Sequence, residues 1–107
     1  MITGYRLKER VKPYAERQEA IAHPIRLSIL HILAHGPMVM HEIVENLDYK
    51  ENLVAHHLHT LLKAGWITKE KKGRYVVYAF KERQLFSFYR LFEDTPLYRE
   101  VIEKRLK

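Results

Sequence analysis

The spacing of apolar residues changes once along the chain, close to Gly65, and this change limits the folds available to it. Before Gly65 the apolar residues recur every three or four positions, which is the spacing of amphipathic helices. After Gly65 the segments "WITKE" and "RYVVYAF" are rich in β-branched and aromatic residues and flank "KKG", which predicts a β-hairpin at about 66–80. A mainly helical protein with one small hairpin is therefore expected.

Prolines and glycines divide the region before the hairpin into helices. Pro13 suits the first turn of a helix because its missing N–H would have no partner there, and Pro24 opens the next helix in the same way. The apolar stripe of that second helix consists of Ile25, Ile29, Ile32 and Leu33. The predicted helices run roughly over 13–22, from Pro24 to Gly36-Pro37, over about 41–47, and over about 51–64.

Two local features allow more than one interpretation. Residues 1–12 form a basic arm that could be a further helix or an extension. Asp48, in the tight turn "DYK", could cap the fourth helix with Glu51 as its capping box, or it could take the left-handed conformation that ends the third helix. Local preferences allow both conformations of Asp48.

The chain returns to helical spacing after the hairpin. The segment "ERQLFSFYRLF" carries an apolar stripe at i, i+3, i+4 and i+7, formed by Leu85, Phe88, Tyr89 and Phe92. A final helix is predicted in "DTPLYREVIEKRL", with Thr95 as its N-cap and Pro96 at its first position. A single domain of this size could not cover the stripe with its own core, so the stripe is expected to form a homodimer interface.

The order of these elements predicts a winged helix-turn-helix fold, mainly α, with a core of three helices and a β-hairpin wing. We expect one domain over 1–107, in which 1–12 is an N-terminal arm and 13–80 is the winged-helix core. Residues 81–107 would then supply C-terminal helices for dimerisation.

The charge balance and the absence of cysteine narrow the classes of function. Lys and Arg number 19 against 13 Asp and Glu, a formal net charge of +6, which favours a polyanion as the partner. With zero cysteines, a disulfide framework and a zinc site built on thiolates are excluded. The sequence contains no apolar run that approaches the ~20 residues of a membrane span, so a soluble, cytoplasmic protein is expected.

Three histidines in "NLVAHHLHTLLKAGWI" point in different directions if this segment is a helix. At about 100° per residue, the apolar side of the helix consists of Val54, Leu58, Leu61 and Leu62. The opposite face consists of Asn52, His56, His59 and Lys63. His57 is predicted at the margin of the core, as a half-buried histidine with a hydrogen-bond partner. The three rings therefore do not converge.

The interpretations of this polar face differ in what they require. A metal site would need a third and a fourth ligand, which neither this helix nor the pair His31 and His35 supplies. Catalysis would need a nucleophile or an acid–base pair in a pocket, and the sequence shows no such motif. A solvated polar face needs no ligand. A recognition helix in the major groove of DNA also accounts for the tight turn before the helix and the basic wing after it.

Three segments, "AIAHPIRLSILHIL", "HEIVENLDYKENLVAHHLHTLLKAGWI" and "GRYVVYAF", resemble the ArsR-type winged-helix transcriptional regulators. The resemblance covers about residues 20–80 and is most specific in "HHLHTLLKAGWI". By position, the Ser-Arg-His-Leu of the family pattern falls on Ala55, His56, His57 and Leu58. A residue that family members often direct at DNA is thus His56 here.

The resemblance and the polar face together predict a transcriptional regulator that binds double-stranded DNA and represses by occupying a promoter. A homodimer would bind an inverted-repeat operator. Base contacts are expected from Asn52, His56 and His59. Phosphate contacts are expected from Lys50, Lys63, Lys71, Lys72 and Arg74. Arg26 is a further phosphate candidate, and the alternative for it is an ordinary surface arginine.

The inducer sites of the family do not carry over to this chain. Metal-sensing members often have cysteines in the third helix, where this chain has Met38, Val39 and Met40. Others use Asp and His pairs after the wing, where "KERQLFSFYRLFED" has no histidine. No metal or other cofactor is therefore expected, and the effector is unknown. A different class of function is a winged-helix protein-interaction module without DNA binding, using the arm and the C-terminal stripe.

Overall fold

The computed structural model describes residues 3–81, 90–102 and 104. The chain forms two compact units: the larger contains Ala15–Lys81, and the smaller is built from Met1–Tyr14 and Glu82–Lys107. The larger unit contains three complete helices and an antiparallel hairpin in the order of a winged helix-turn-helix, so the predicted fold class is confirmed. The division into one domain with an arm and a C-terminal extension stays a prediction.

As far as the end of the hairpin, the helices and strands follow the predicted order with one addition. The α-helices of the described residues are α1 (Gly4–Ile21), α2 (Pro24–Leu33), α3 (Met40–Leu47) and α4 (Glu51–Lys63). The strands are β1 (Met38–Val39), β2 (Ile67–Lys72) and β3 (Tyr75–Phe80). β1 was not predicted, because a strand of two residues has no periodicity to detect. Within the described ranges, no helix is both long enough and apolar enough to cross a membrane.

α1 begins earlier than the sequence predicts. It starts at Gly4 and passes through Pro13, which lies inside the helix rather than at its first turn. A proline there removes the N–H that would bond the carbonyl of Glu9. Both residues are exposed, so water can reach that carbonyl and reduce the penalty. The predicted helix start at Pro13 is wrong, and the helical alternative for the arm is correct.

The turn between α3 and α4 determines where α4 begins. Asp48 has φ 56° and ψ 40°, the left-handed conformation, and its N–H donates to the carbonyl of Val44 at 2.9 Å. It therefore ends α3, and the alternative in which Asp48 caps α4 is wrong. Lys50 precedes α4 in an extended conformation and makes no side-chain cap.

The core lies in the larger unit, where α2, α3 and α4 each contribute one apolar face. Its buried members are Ile29, Leu30, Leu33, Ile43, Val54, Leu58, Leu61, Trp66 and Ile67. The predicted apolar side of α4 is confirmed, since Val54, Leu58 and Leu61 are buried and Leu62 packs against the core. α4 is thereby held along one side, and its other side faces solvent.

Trp66 connects three parts of the larger unit. Its side chain is 1% exposed, and its Nε1 donates to the carbonyl of Arg17, on α1, at 2.6 Å. Its backbone N–H donates to the carbonyl of Leu61, near the end of α4, at 3.0 Å. Its own carbonyl accepts from the N–H of Lys81, just after β3, at 2.9 Å. One residue thus fixes α1, α4 and the base of the hairpin together.

The strands form an antiparallel sheet in the order β1-β3-β2. β2 and β3 pair from Ile67 opposite Phe80 to Lys72 opposite Tyr75, around a turn in which Gly73 has φ 63°. Glycine adopts this left-handed conformation without a Cβ penalty. The hairpin that was predicted at about 66–80 is therefore present, and its outer half extends beyond the core.

The predicted C-terminal helices fall in the smaller unit, and the structure describes part of them. Thr95 Oγ1 accepts a hydrogen bond from the N–H of Tyr98 at 3.3 Å, and the helical residues start at Pro96 and continue into a π-helix, Tyr98–Ile102. The predicted N-cap is confirmed. At Phe92 the chain forms a 3₁₀ helix, Arg90–Phe92, instead of the predicted α-helix. The other members of the predicted stripe lie outside the described residues, namely Leu85, Phe88 and Tyr89, so the dimer interface stays a prediction.

Candidate nucleic-acid interface

α4 turns its polar face away from the core, as the helical angles predict. The exposed residues are Lys50, just before the helix, and Asn52, His56, His59 and Lys63 within it. The other side of α4 is fixed by its buried apolar residues. Two imidazoles, an amide and an ammonium group are thus presented from one anchored helix, and each of these groups can bind base edges or phosphates.

The wing, formed by β2 and β3, carries its predicted phosphate-binding cations on two different faces. Lys71 lies opposite Val76 and Lys72 lies opposite Tyr75, so the two neighbouring lysines are on different faces of the hairpin. Both are exposed, as is Arg74 in the turn. A partner that lies against one face would meet Lys71 or Lys72 but not both. The predicted set of wing cations is therefore divided between two surfaces.

Two exposed residues of the wing were missed by the sequence analysis. Lys69 is exposed and lies on the same face as Lys71, because side chains two residues apart in a strand share a face. Tyr75 is 64% exposed next to the turn and offers an aromatic ring beside Lys72. The two-residue alternation of β2 and β3 is the signal that could have identified both.

His57 differs from the other histidines of α4. Its side chain is 5% exposed, which is deeper than the half-buried position that was predicted. Its Nδ1 accepts a hydrogen bond from Nε of Arg26 at 3.1 Å. Burial lowers the pKa of His57, and electrostatic repulsion from His23, Arg26 and His56 lowers it further. His57 is therefore a neutral internal group and is not part of the exposed face.

Arg26 has a structural role that neither sequence interpretation included. It is half-buried on α2, and it donates from Nε to His57 and from Nη1 to the carbonyl of Ala20 at 2.9 Å. These bonds tie α2 to α4 and to the end of α1. Arg26 is thus held by other parts of the protein, so the interpretation as an ordinary surface arginine is wrong, and its contact with phosphate stays a prediction.

The remaining histidines do not form a metal site in the part of the chain that the structure describes. The rings of His31 and His35 have centroids 5.2 Å apart, and His41 contacts Glu45 at 3.1 Å on the surface of α3. Among the described residues, no three His, Asp or Glu side chains are placed to hold a metal ion. That the protein binds no metal or cofactor stays a prediction.

Comparison with known proteins identifies the family. The model of the arsR family of bacterial regulatory proteins matches residues 23–69, from the residue before α2 to the middle of β2. An uncharacterized HTH-type transcriptional regulator of Methanocaldococcus jannaschii is 30% identical over 87 residues, which cover 80% of this chain and 98% of that protein. The chain belongs to the ArsR family of transcriptional regulators. The resemblance found in the sequence is thereby confirmed.

Other relatives of this ArsR-family chain include a longer protein and a solved domain. The HTH-type transcriptional repressor SmtB of Mycobacterium tuberculosis is 33% identical over 78 residues, or 73% of this chain and 58% of that protein. The chain therefore spans little more than half the length of SmtB. The homodimeric winged helix-turn-helix DNA-binding domain from Mycobacterium bovis has a TM-score of 0.69 at 22% identity, over 91% of this chain and 93% of that one. This likeness confirms the fold.

Proposed function

We propose that this ArsR-family protein binds double-stranded DNA as a homodimer and represses transcription by occupying a promoter. The observation that supports this most directly is the exposed polar face of α4, on a helix whose other side is anchored in the core. Asn52 can form two hydrogen bonds with adenine, and His56 and His59 can donate to N7 or O6 of guanine. These base edges line the major groove, which is wide enough for an α-helix.

Phosphate contacts flank the base contacts in this proposal. Lys50 and Lys63 stand at the two ends of α4, and Arg74 stands in the turn of the wing together with either Lys71 or Lys72. Such contacts set the orientation of the protein on the duplex and carry no sequence information. The formal net charge of +6 favours the approach of a polyanion.

The names of two similar proteins support repression and dimerisation. SmtB is named a transcriptional repressor, and the Mycobacterium bovis domain is described as homodimeric and DNA-binding. We extend both properties to this chain as part of the proposal. A regulator of this kind needs no catalytic group, so no enzymatic activity is proposed. Because the proposed partner is chromosomal DNA, the proposal includes a cytoplasmic location.

Fluorescence anisotropy with labelled DNA from upstream of the protein's own gene tests the proposal. A shuffled duplex of the same length is the control. We expect tighter binding to the upstream DNA and a footprint of two half-sites about one helical turn, ~34 Å, apart, because a two-fold dimer presents two copies of α4. Equal affinity for both duplexes, or protection of one asymmetric half-site, would contradict it.

Replacing His56 or His59 with alanine should weaken specific DNA binding and leave the fold intact. Loss of each base contact is expected to cost about 1–3 kcal/mol, roughly 5- to 150-fold in affinity, at each of the two half-sites. Both side chains are exposed, so the melting temperature should change little. Affinity for the shuffled duplex should also change little, because base contacts are not used there. Titrating both duplexes with each variant measures these differences.

The matched control for these variants is His31→Ala, which removes an exposed histidine of α2. This change should leave operator affinity at the wild-type value. The base-contact assignment would be wrong if His56→Ala and His59→Ala both kept wild-type affinity. Loss of zinc binding in the same two variants would then favour a metal site on α4.

Two exposed leucines of the smaller unit should lie in the proposed homodimer interface. Leu7 is 44% exposed and Leu97 is 59% exposed. Covering such apolar surface with a second subunit lowers the free energy and so stabilises a dimer. The double change Leu7→Glu and Leu97→Glu should therefore give monomers, because the interface would have to bury carboxylates. Light scattering after gel filtration, at micromolar protein concentration, measures the mass.

The control for this experiment is Leu27→Glu, because Leu27 is similarly exposed, at 51%, but belongs to the larger unit. This variant should remain dimeric. A monomeric wild type under the same conditions would remove the homodimer from the proposal. A double variant that stays dimeric would exclude these leucines from the interface.

A further inference from the structure

Two histidines and an arginine meet where α2 packs against α4. Nδ1 of His57, on α4, accepts a hydrogen bond from Nε of Arg26, on α2, at 3.1 Å. The ring of His23, which immediately precedes α2, lies against the ring of His57 with centroids 4.6 Å apart and planes inclined at 43°. His57 is buried, so this contact is shielded from water.

Both imidazoles act as hydrogen-bond acceptors in this cluster. Nδ1 of His23 accepts from the N–H of Ile25 at 3.1 Å and thereby caps α2. Nδ1 of His57 accepts from Arg26. A backbone N–H and a guanidinium N–H only donate, so neither Nδ1 atom carries a proton. Protonation at Nδ1 would occupy the lone pair and break the hydrogen bond of that ring.

We propose that His23, Arg26 and His57 form an acid-sensitive latch that holds α4 against α2 and so positions the exposed face of α4. The latch is closed while both rings are neutral. Protonation of His57 replaces its hydrogen bond with two like charges in contact, and protonation of His23 removes the cap of α2 and adds a third positive charge. Acid therefore opens the junction between the two helices.

The groups around His57 do not stabilise its charged form. His23 faces it from the start of α2, Arg26 faces it from α2, and His56 faces it from α4, with ring centroids 5.2 Å apart. α1 contributes the carbonyl of Ala20, which is uncharged and accepts its bond from Arg26. Burial has the largest effect on the pKa of His57, and the three basic groups have smaller effects. All four effects lower this pKa.

The direction of the pH effect follows from this lowered pKa. In the unfolded chain His57 has the ordinary histidine pKa of ~6.5, whereas in the folded protein its pKa lies below that value. As the pH falls through ~6.5 the unfolded chain takes up a proton that the folded protein does not. The stabilisation is therefore fully present above ~6.5 and is lost as the pH falls from there through the folded pKa.

Thermal unfolding of the full chain at different pH values tests the latch without DNA. Between about pH 7.5 and about pH 5.5, the wild-type melting temperature should fall by roughly 4–8 °C more than that of His57→Gln. Glutamine does not titrate, and its amide oxygen can still accept from Arg26. His31→Gln removes an exposed histidine of α2 and is the control, which should show the full wild-type loss.

A second variant reverses the charge next to His57. In His23→Asp the carboxylate can still cap α2, since Asp is a preferred N-cap residue, and its negative charge favours protonated His57. The acid-induced loss of melting temperature should therefore be smaller than in the wild type. A merely structural contact would not change the pH profile in this direction. An equal or larger loss in His23→Asp would overturn the proposal.

Direct titration keeps the test decisive even if His57→Gln does not fold. NMR of the wild type with labelled imidazoles should show His57 as the neutral ring protonated at Nε2, with a pKa below the ordinary histidine value of ~6.5. Titration of His57 at or above ~6.5, or a His57→Gln protein that keeps the full acid-induced loss, would refute the latch. Either result stands whether or not the protein binds DNA.

The consequence for DNA rests on the proposed function. An open latch would let α4 shift, so acid should weaken operator binding in the wild type more than in His23→Asp. Anisotropy at about pH 7.5 and about pH 5.5 measures this difference. A missing operator would abolish the anisotropy signal and leave the melting curves unchanged, whereas a wrong latch would show in the melting curves themselves. The two failures are therefore distinguishable.

Discussion

Raising the salt concentration from about 50 to about 200 mM should weaken operator binding by roughly 10³- to 10⁴-fold. Each subunit offers Lys50, Lys63, Arg74 and one wing lysine to phosphates, so a dimer is expected to make about 6–8 such contacts. Each contact releases condensed counterions, so log K should fall with log salt at a slope of roughly −5 to −7. Anisotropy titrations at several salt concentrations measure the slope.

Single changes on the wing identify the cations that take part. Lys72→Ala and Arg74→Ala should each weaken all DNA sequences alike and flatten the slope by about 2, because each change removes one contact from both subunits of the dimer. If Lys72 is the wing lysine that meets DNA, Lys71→Ala should have little effect, because the two lysines lie on different faces of the hairpin. Lys104→Ala, at an exposed position of the smaller unit, is the control. A wild-type slope near zero would exclude DNA as the natural partner.

Replacing Trp66 with alanine should lower the free energy of unfolding by about 3–5 kcal/mol. Trp66 is the largest of the fully buried side chains, so its removal leaves a cavity and also breaks the bond to the carbonyl of Arg17. This loss is a large part of the ~5–15 kcal/mol by which a domain of this kind is stable. Urea unfolding followed by circular dichroism measures the difference at constant pH and salt.

A smaller change at the same position separates the two contributions to this loss. Trp66→Phe keeps a buried ring but has no N–H for the carbonyl of Arg17, so it should cost less than Trp66→Ala. Tyr75→Ala is the control at a 64% exposed aromatic residue and should stay within about 0.5 kcal/mol of the wild type. A cost below about 1 kcal/mol for Trp66→Ala would contradict the position of Trp66 in the core.

The two faces of α4 could be predicted because a helix advances by a fixed angle per residue. Once this segment is helical, Leu58 and His56 must point in different directions, whatever the rest of the chain does. The turn at Gly73 and the cap at Thr95 were predictable for a similar reason, since both express local conformational preferences. The candidate DNA contacts of α4 are all exposed, and their contact with DNA stays a prediction.

Local preferences were insufficient where two conformations cost nearly the same. Pro13 fits the start of a helix, but it is also tolerated inside α1, where the carbonyl it leaves unbonded is open to water. Asp48 suits an N-cap as well as a left-handed C-terminal residue, and the chain uses the second. The separation of Lys71 from Lys72 was available from strand alternation once the hairpin was predicted.

The sequence by itself determined the family, the order of the helices and the hairpin from α1 to β3, and the side of α4 that faces water. These properties follow from the angle per residue and from preferences that act over a few residues. Only the tertiary structure decided that β1 exists, since Met38 and Val39 become a strand by pairing with β3. It also decided the bond between Arg26 and His57, which are 31 residues apart. Such contacts depend on how the helices and strands pack, and local spacing does not contain that information.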